Sequence, residues 1–143
     1  MRNDAKAAVR KSDVLYPELS YAVVGAIYEV WKELGPAFKE SAYQKALVEE
    51  FTQKGIPFES QKVIPICYRG IKVGSYVPDF LIDDRILIEI KCLPRLTFKE
   101  NKQVWYYLKG TPYKLLLLVN FGGSKLEIRR RIYDKARLRK NSQ

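Results

Sequence analysis

The sequence predicts a single domain of mixed α/β (α+β) class, with a central mixed sheet of about five strands flanked by helices. Three observations carry this expectation. A chain of 143 residues is the length of one domain and can bury a core without disulfides. Its apolar spacing changes from the helical period to extended runs and back along the chain. Gly, Pro and Asp signals separate the segments in the order helix, helix, three strands, helix, two strands. With 47% aliphatic and aromatic residues and 29% charged, the composition suits a globular protein better than a disordered one.

Residues 1–13 are polar and read as a flexible N-terminal segment, 14–133 as the domain, and 134–143 as a basic C-terminal tail. The first helix comes from "PELSYAVVGAIYEVWKELG": Leu19, Val23, Ala26, Ile27, Val30, Trp31 and Leu34 stand at helical spacing, and Gly35-Pro36 is a stop. "KESAYQKALVEEFTQKG" forms the second, with Tyr43, Leu47 and Phe51 as its stripe and Gly55 as its close. Three residues back along that stripe lies Glu40, which the period turns toward the core side. Extended segments follow at 57–68, 71–82 and 86–92, divided by Arg69-Gly70 and Asp83-Asp84-Arg85, and read as three antiparallel strands. A third helix is expected in "LTFKENKQVWYYLKG", with Thr97 as N-cap and Gly110 as stop, before strands at 114–120 and 125–132 across a "GGS" turn.

Composition also limits the chemistry. The chain has no histidine, so a Ser-His-Asp triad, a Cys-His pair and His-based metal sites are excluded, and catalysis must rest on carboxylates, lysine and metal. Cys67 and Cys92 form no CxxC pair and read as small buried hydrophobes in a reducing compartment, which disfavours zinc. The longest apolar run, Leu115 to Phe121, is far shorter than the roughly 18 residues of a membrane span, and the N-terminus has no apolar signal core. A cytoplasmic protein with no membrane partner is expected. The net charge is +10, and residues 125–143 alone hold eight Lys and Arg against Glu127 and Asp134. Such a field favours a polyanion, nucleic acid first, although a solvated tail has the same composition.

The stretch "YVPDFLIDDRILIEIK" sets acidic and basic residues within apolar strands. Strand alternation puts Ile86, Ile88 and Ile90 on one face and Leu87, Glu89 and Lys91 on the other. Asp79 joins the second face only if the hairpin connection is odd: three residues, Asp83 to Arg85, pair 82 with 86 and 79 with 89. Two carboxylates about 5 Å apart repel by on the order of 4 kcal/mol at a protein-like dielectric. Lys91 alone would compensate in a structural ion cluster; a divalent ion on oxygen ligands, Mg²⁺ or Mn²⁺, would do so in a metal site. A solvent-facing salt-bridge ladder is the plain alternative, and the apolar flanks on both faces favour the metal site.

Pro78-Asp79, then Glu89 and Lys91 in "EIK", with Glu40 on a preceding helix, resemble the signature of the PD-(D/E)XK nuclease superfamily. The runs "ELGPAFKESAYQKAL", "IPFESQKVIPICYRGIKVGSYVPDFLIDDRILIEIK" and "NKQVWYYLKGTPYKLLLLVNFGGSKLEIRRRI" are similar to its small GxxExxY family over Leu19 to Tyr133. Ala37 stands where that motif has its first Gly, while Glu40 and Tyr43 match. The resemblance implies a restriction-endonuclease-like core and a divalent-metal-dependent nuclease hydrolysing phosphodiester bonds, with DNA the foremost substrate. It implies that Glu40, Asp79, Glu89 and the Ile90 carbonyl bind Mg²⁺ or Mn²⁺, that Lys91 holds or polarises the attacking water, and that Gln103 contacts the site, with Tyr107 on the same helical face. For Tyr43 and Tyr107 core packing is the favoured reading, and for Gln61 a surface position. A non-catalytic nucleic-acid-binding module and a protein-interaction subunit with an acidic partner are the competing functions, and the oligomeric state, a homodimer included, stays open.

Overall fold

In the computed structural model, residues 15–134 are described; the N-terminal segment 1–13 and all of the basic tail except Asp134 lie outside them. Two helices come first, α1 (Pro17–Leu34) and α2 (Glu40–Gln53). Proline occupies the first turn of α1, where its missing N–H costs nothing, and Gly35 ends the helix at φ 65°. Val23, Ala26, Ile27 and Val30 from α1 and Tyr43, Leu47 and Phe51 from α2 are buried, as their spacing predicts.

The strands are β1 (Phe58–Ser60), β2 (Ile64–Tyr68), β3 (Ile71–Tyr76), β4 (Phe80–Ile82) and β5 (Ile86–Lys91), then β6 (Leu115–Asn120) and β7 (Glu127–Ile132) after helix α3 (Phe98–Lys109). Five of them form a mixed sheet in the order β1-β4-β5-β6-β7, and β2 and β3 form a separate hairpin. Two of the three expected long strands are therefore broken. Gln61, at φ 59°, interrupts the first between β1 and β2, and the second breaks at Val77 to Asp79 between β3 and β4. Proline has no N–H for a ladder, so Pro78 is a natural point for the chain to leave one sheet and enter another.

Helix α3 is the crossover between the parallel neighbours β5 and β6. Its start is the most completely specified in the chain: the Thr97 side chain accepts from the Lys99 N–H, and Glu100 accepts from the Thr97 N–H, a full capping box. The sheet has a core on each face. Phe80, Ile82, Ile86, Ile88 and Ile90 pack under α1 and α2; Leu81, Leu87, Leu116 and Leu118 pack with Val104 and Leu108 of α3 and with Ile64 and Tyr76 of the hairpin. All six residues of β6 are buried, which explains its unbroken apolar run. No helix among the described residues is long and apolar enough to cross a membrane. Contrary to expectation, Cys67, on the hairpin strand β2, is exposed, and Cys92, just after β5, is only half-buried.

Candidate active site

The hairpin between β4 and β5 has the odd connection. Ile82 pairs with Ile86 and Phe80 with Ile88 across Asp83, Asp84 and Arg85. Asp83 and Asp84 both lie in the left-handed region, at φ 48° and 53°, which aspartate tolerates better than most residues, and the Arg85 N–H donates to the Ile82 carbonyl at 2.9 Å. Arg85 also pairs with Asp83, and the Tyr113 hydroxyl donates to Asp84 at 2.9 Å.

Asp79 itself stands just outside the ladder. Its N–H donates to the carbonyl of Ile88, the residue already opposite Phe80, so two residues of one chain segment face one of the other in a bulge. The regular pairing of 79 with 89 is thus replaced by something more specific: Asp79 Oδ2 accepts the backbone N–H of Ile90 at 2.7 Å. Gln61 Nε2 donates to Oδ1 at 3.3 Å, and the Gln61 N–H to the Asp79 carbonyl at 3.3 Å. Gln61 is exposed, yet it belongs to this site; its positive φ, which no sequence pattern announced, turns it back toward Asp79.

Glu89 and Lys91 lie half-buried on the α3 side of β5, the face of Leu87. Burial, and next the Asp79 charge, push the Glu89 carboxyl up to about 8, against the easing effect of Lys91. Glu89 is thus held toward its neutral form by its surroundings and by the neighbouring carboxylate. Among the described residues Lys91 is in no ion pair. Tyr76 closes the site from the hairpin: burial first, then Glu89 and Asp79, raise its phenol, whose buried oxygen has no hydrogen-bond partner, while its ring stacks on Tyr107 at 4.2 Å.

Glu40 is exposed at the first position of α2, and the expectation that it turns into the core is corrected. Helix α2 begins beyond the edge of the packed layer, so the stripe that buries Tyr43 has no core to cover one turn earlier. Glu40 nevertheless belongs to the same end of the molecule. Burial first, and then the charge of Glu40, raise the Cys92 thiol to about 11, which places Glu40 near the end of β5. Gln44, one turn on from Glu40, donates from Nε2 to Ser60 Oγ at 2.7 Å and to the Asp79 carbonyl at 3.2 Å, while its buried Oε1 has no partner.

Gln103 is exposed on α3 with Tyr107, half-buried, four residues on. Tyr107 packs on Tyr76, and Tyr43 is fully buried against Phe121 with centroids 4.3 Å apart, so both tyrosines are packing residues. Sequence reasoning missed Gln44, Tyr76 and Asn120. Asn120 is buried beside Lys91 in the ladder; it accepts from the Leu93 and Gly122 N–H groups and donates to the Leu93 carbonyl and to Glu127. It anchors the loop that follows Lys91, and a polar residue ending an apolar strand was the one available signal.

The family model of the PD-(D/E)XK nuclease superfamily matches residues 17–131. The chain belongs to the PD-(D/E)XK nuclease superfamily. Among solved structures the fold is similar to an alkaline exonuclease from Laribacter hongkongensis, with a TM-score of 0.50 and 15% identity over 90% of this chain and 75% of that one. No curated protein matches the sequence. The mixed five-stranded sheet between helices is the nuclease fold of that superfamily, and Asp79, Glu89 and Lys91 all lie within the matched residues.

Nucleases of the superfamily generally use divalent metals, and the donor set suits a hard cation. Asp79 and Glu89 supply adjacent carboxylates, and burial and then the Asp79 charge hold Glu89 back from ionising. The N–H and C=O of a strand residue face the same edge, so the Ile90 carbonyl lies on the edge whose N–H Asp79 takes. Among the described residues no three acidic or cysteine side chains converge into a ligand group by themselves. Two carboxylates and a carbonyl would hold the ion, with water or phosphate oxygen completing the shell, as Mg²⁺ sites commonly allow.

Proposed function

We propose that the chain is a nuclease of the GxxExxY type, hydrolysing phosphodiester bonds of nucleic acid, DNA foremost, with Mg²⁺ or Mn²⁺. The observation that carries this reading is the half-buried carboxylate pair on one sheet face, Glu89 pushed up to about 8 by burial and Asp79, with Lys91 one step along the strand. A divalent ion bound there neutralises phosphodiester oxygens and lowers the pKa of water. Asp79 and Glu89, with the Ile90 carbonyl, hold it, and Glu40 approaches from α2. Lys91, free of any ion pair among the described residues, orients the attacking water and adds positive charge where the transition state gains negative charge. Gln103 contacts substrate from α3. The net charge of +10 supports phosphate binding without base reading.

The test is cleavage of labelled single- and double-stranded DNA and RNA with Mg²⁺, Mn²⁺ or EDTA. Cleavage that requires the metal and is lost in Lys91→Ala supports the reading. Absence of cleavage on all four substrates, or full activity of Lys91→Ala, contradicts it. The exposure of Glu40 and the lack of a self-sufficient ligand group favour one other function, a non-catalytic nucleic-acid-binding domain, which would bind in a salt-sensitive way indifferent to Asp79→Asn.

A further inference from the structure

We propose that the flank of α3 facing β7 is a subsite for a single strand of nucleic acid, stacking bases on Phe98, Trp105 and Tyr106 and gripping a phosphate with Arg131. The inference rests on the nuclease reading for its ligand and adds the form that ligand takes.

A hollow of about 270 Å³ lies between α3 and β7, lined by Phe98, Asn101, Lys102, Trp105, Tyr106 and Arg131. Single exposed aromatics need no explanation. Here Phe98 is 78% and Tyr106 58% exposed, both at one hollow, and neither belongs to a core. Trp105 forms the half-buried wall, held edge-on by Tyr133 at 5.5 Å. Cations alternate with these rings: Lys102 Nζ stands 5.9 Å from the Phe98 centroid, and Arg131 Nη2 donates to Asn101 Oδ1 at 2.5 Å. Arg131 Nε is a buried donor without a partner. That donor is closed to solvent, so a phosphate oxygen in this basic, aromatic hollow is met by the rest of the guanidinium, which lines it.

The position suits a strand that passes through the carboxylate site. Tyr107 follows Phe98 by nine residues, which at 100° per residue puts it about half a turn away on the opposite flank of α3, where it stacks on Tyr76 beside Glu89. Between the two flanks the solvent-facing crest carries Lys99, Lys102 and Gln103, all exposed. A strand leaving Glu89 over this crest meets positive charge first and ring faces next. Bases within a duplex are stacked on one another and cannot lie on these rings, so the subsite selects unpaired nucleotides.

The test is anisotropy of labelled oligo(dT), oligo(rU) and a duplex of equal length in EDTA, with wild type and the double variant Phe98→Ala/Tyr106→Ala, whose exposed positions leave the cores intact. Single-strand affinity should fall by about tenfold or more in the double variant, with the duplex unaffected. The dT and rU arms show whether DNA, RNA or both are taken. Arg131→Gln should lower the salt slope of single-strand binding by about one phosphate. Unchanged single-strand affinity, or an equal loss on the duplex, overturns the subsite. The two readings fail separately. A protein that cleaves nothing yet shows the aromatic-dependent single-strand loss keeps the subsite and loses the chemistry; one that cleaves while the double variant binds normally does the reverse.

Discussion

Asp79 Oδ2 accepts the backbone N–H of Ile90 at 2.7 Å, so a side chain takes over the role of a strand partner just before β4 begins. This bond fixes the carboxylate beside Glu89 before any ligand arrives. The bulge that creates it, two residues opposite Ile88, converts a plain hairpin into a site.

Replacing Asp79 should therefore separate fold from chemistry. Asn keeps an oxygen that can accept from Ile90, and Asp79→Asn should stay within about 1 kcal/mol of wild type in urea. Asp79→Ala leaves the N–H unmatched and should cost about 1–3 kcal/mol. Both should lose Mn²⁺ binding, read by calorimetry; retention of wild-type Mn²⁺ affinity in either would remove Asp79 from the metal site.

Glu89 has a folded-state pKa raised from 4.5 to about 8 by burial and by Asp79. The sign follows: its contribution to stability is fully present below the unfolded value and is lost as pH rises through the folded one. In EDTA, wild type should lose stability relative to Glu89→Gln between pH 4.5 and 8, and Mg²⁺ should restore more of it at pH 8 than at pH 5. Equal pH profiles of wild type and Glu89→Gln in urea melts would contradict the raised pKa.

Glu40 and Gln103 are exposed, so neither Glu40→Gln nor Gln103→Ala should change stability by more than about 0.5 kcal/mol. Cleavage rates should nonetheless fall by on the order of tenfold or more, comparable to losing a supporting contact at a metal site. A wild-type rate in Glu40→Gln would confine the ligand set to β5 and Asp79.

Gly122 packs where no side chain fits: a Cβ there would lie 2.5 Å from the backbone of Cys92 and Leu93. Gly122→Ala should destabilise by about 1–3 kcal/mol and, by displacing the loop after Lys91, depress cleavage as well. Asn120→Ala should act in the same direction through its lost hydrogen bonds to Leu93 and Glu127. Thermal melts and rates measured on the same preparations test both.

Helices and faces were legible because they follow from spacing: Val23 to Val30 and Tyr43 to Phe51 bury where the period puts them, and Ile88 and Glu89 fall on opposite faces. The odd connection at Asp83 to Arg85 followed from the requirement that Asp79 and Glu89 meet. The splitting of two strands was not legible, since it turns on a left-handed Gln61 and on a chain crossing between sheets at Pro78, both decided by tertiary contacts. Glu40 was misplaced because helical periodicity continues past the end of the core that gives it meaning. Gln44 and Tyr76 carry no sequence pattern of their own; only the fold brings them to Asp79 and Glu89.

The central claim is that Asp79 and Glu89 hold one divalent ion. Anomalous diffraction from crystals soaked in Mn²⁺ tests it most directly. The account predicts a peak in contact with both carboxylates and the Ile90 carbonyl, absent from Asp79→Asn crystals. A Mn²⁺-soaked wild-type crystal with no peak there, or with its peak elsewhere, would contradict it.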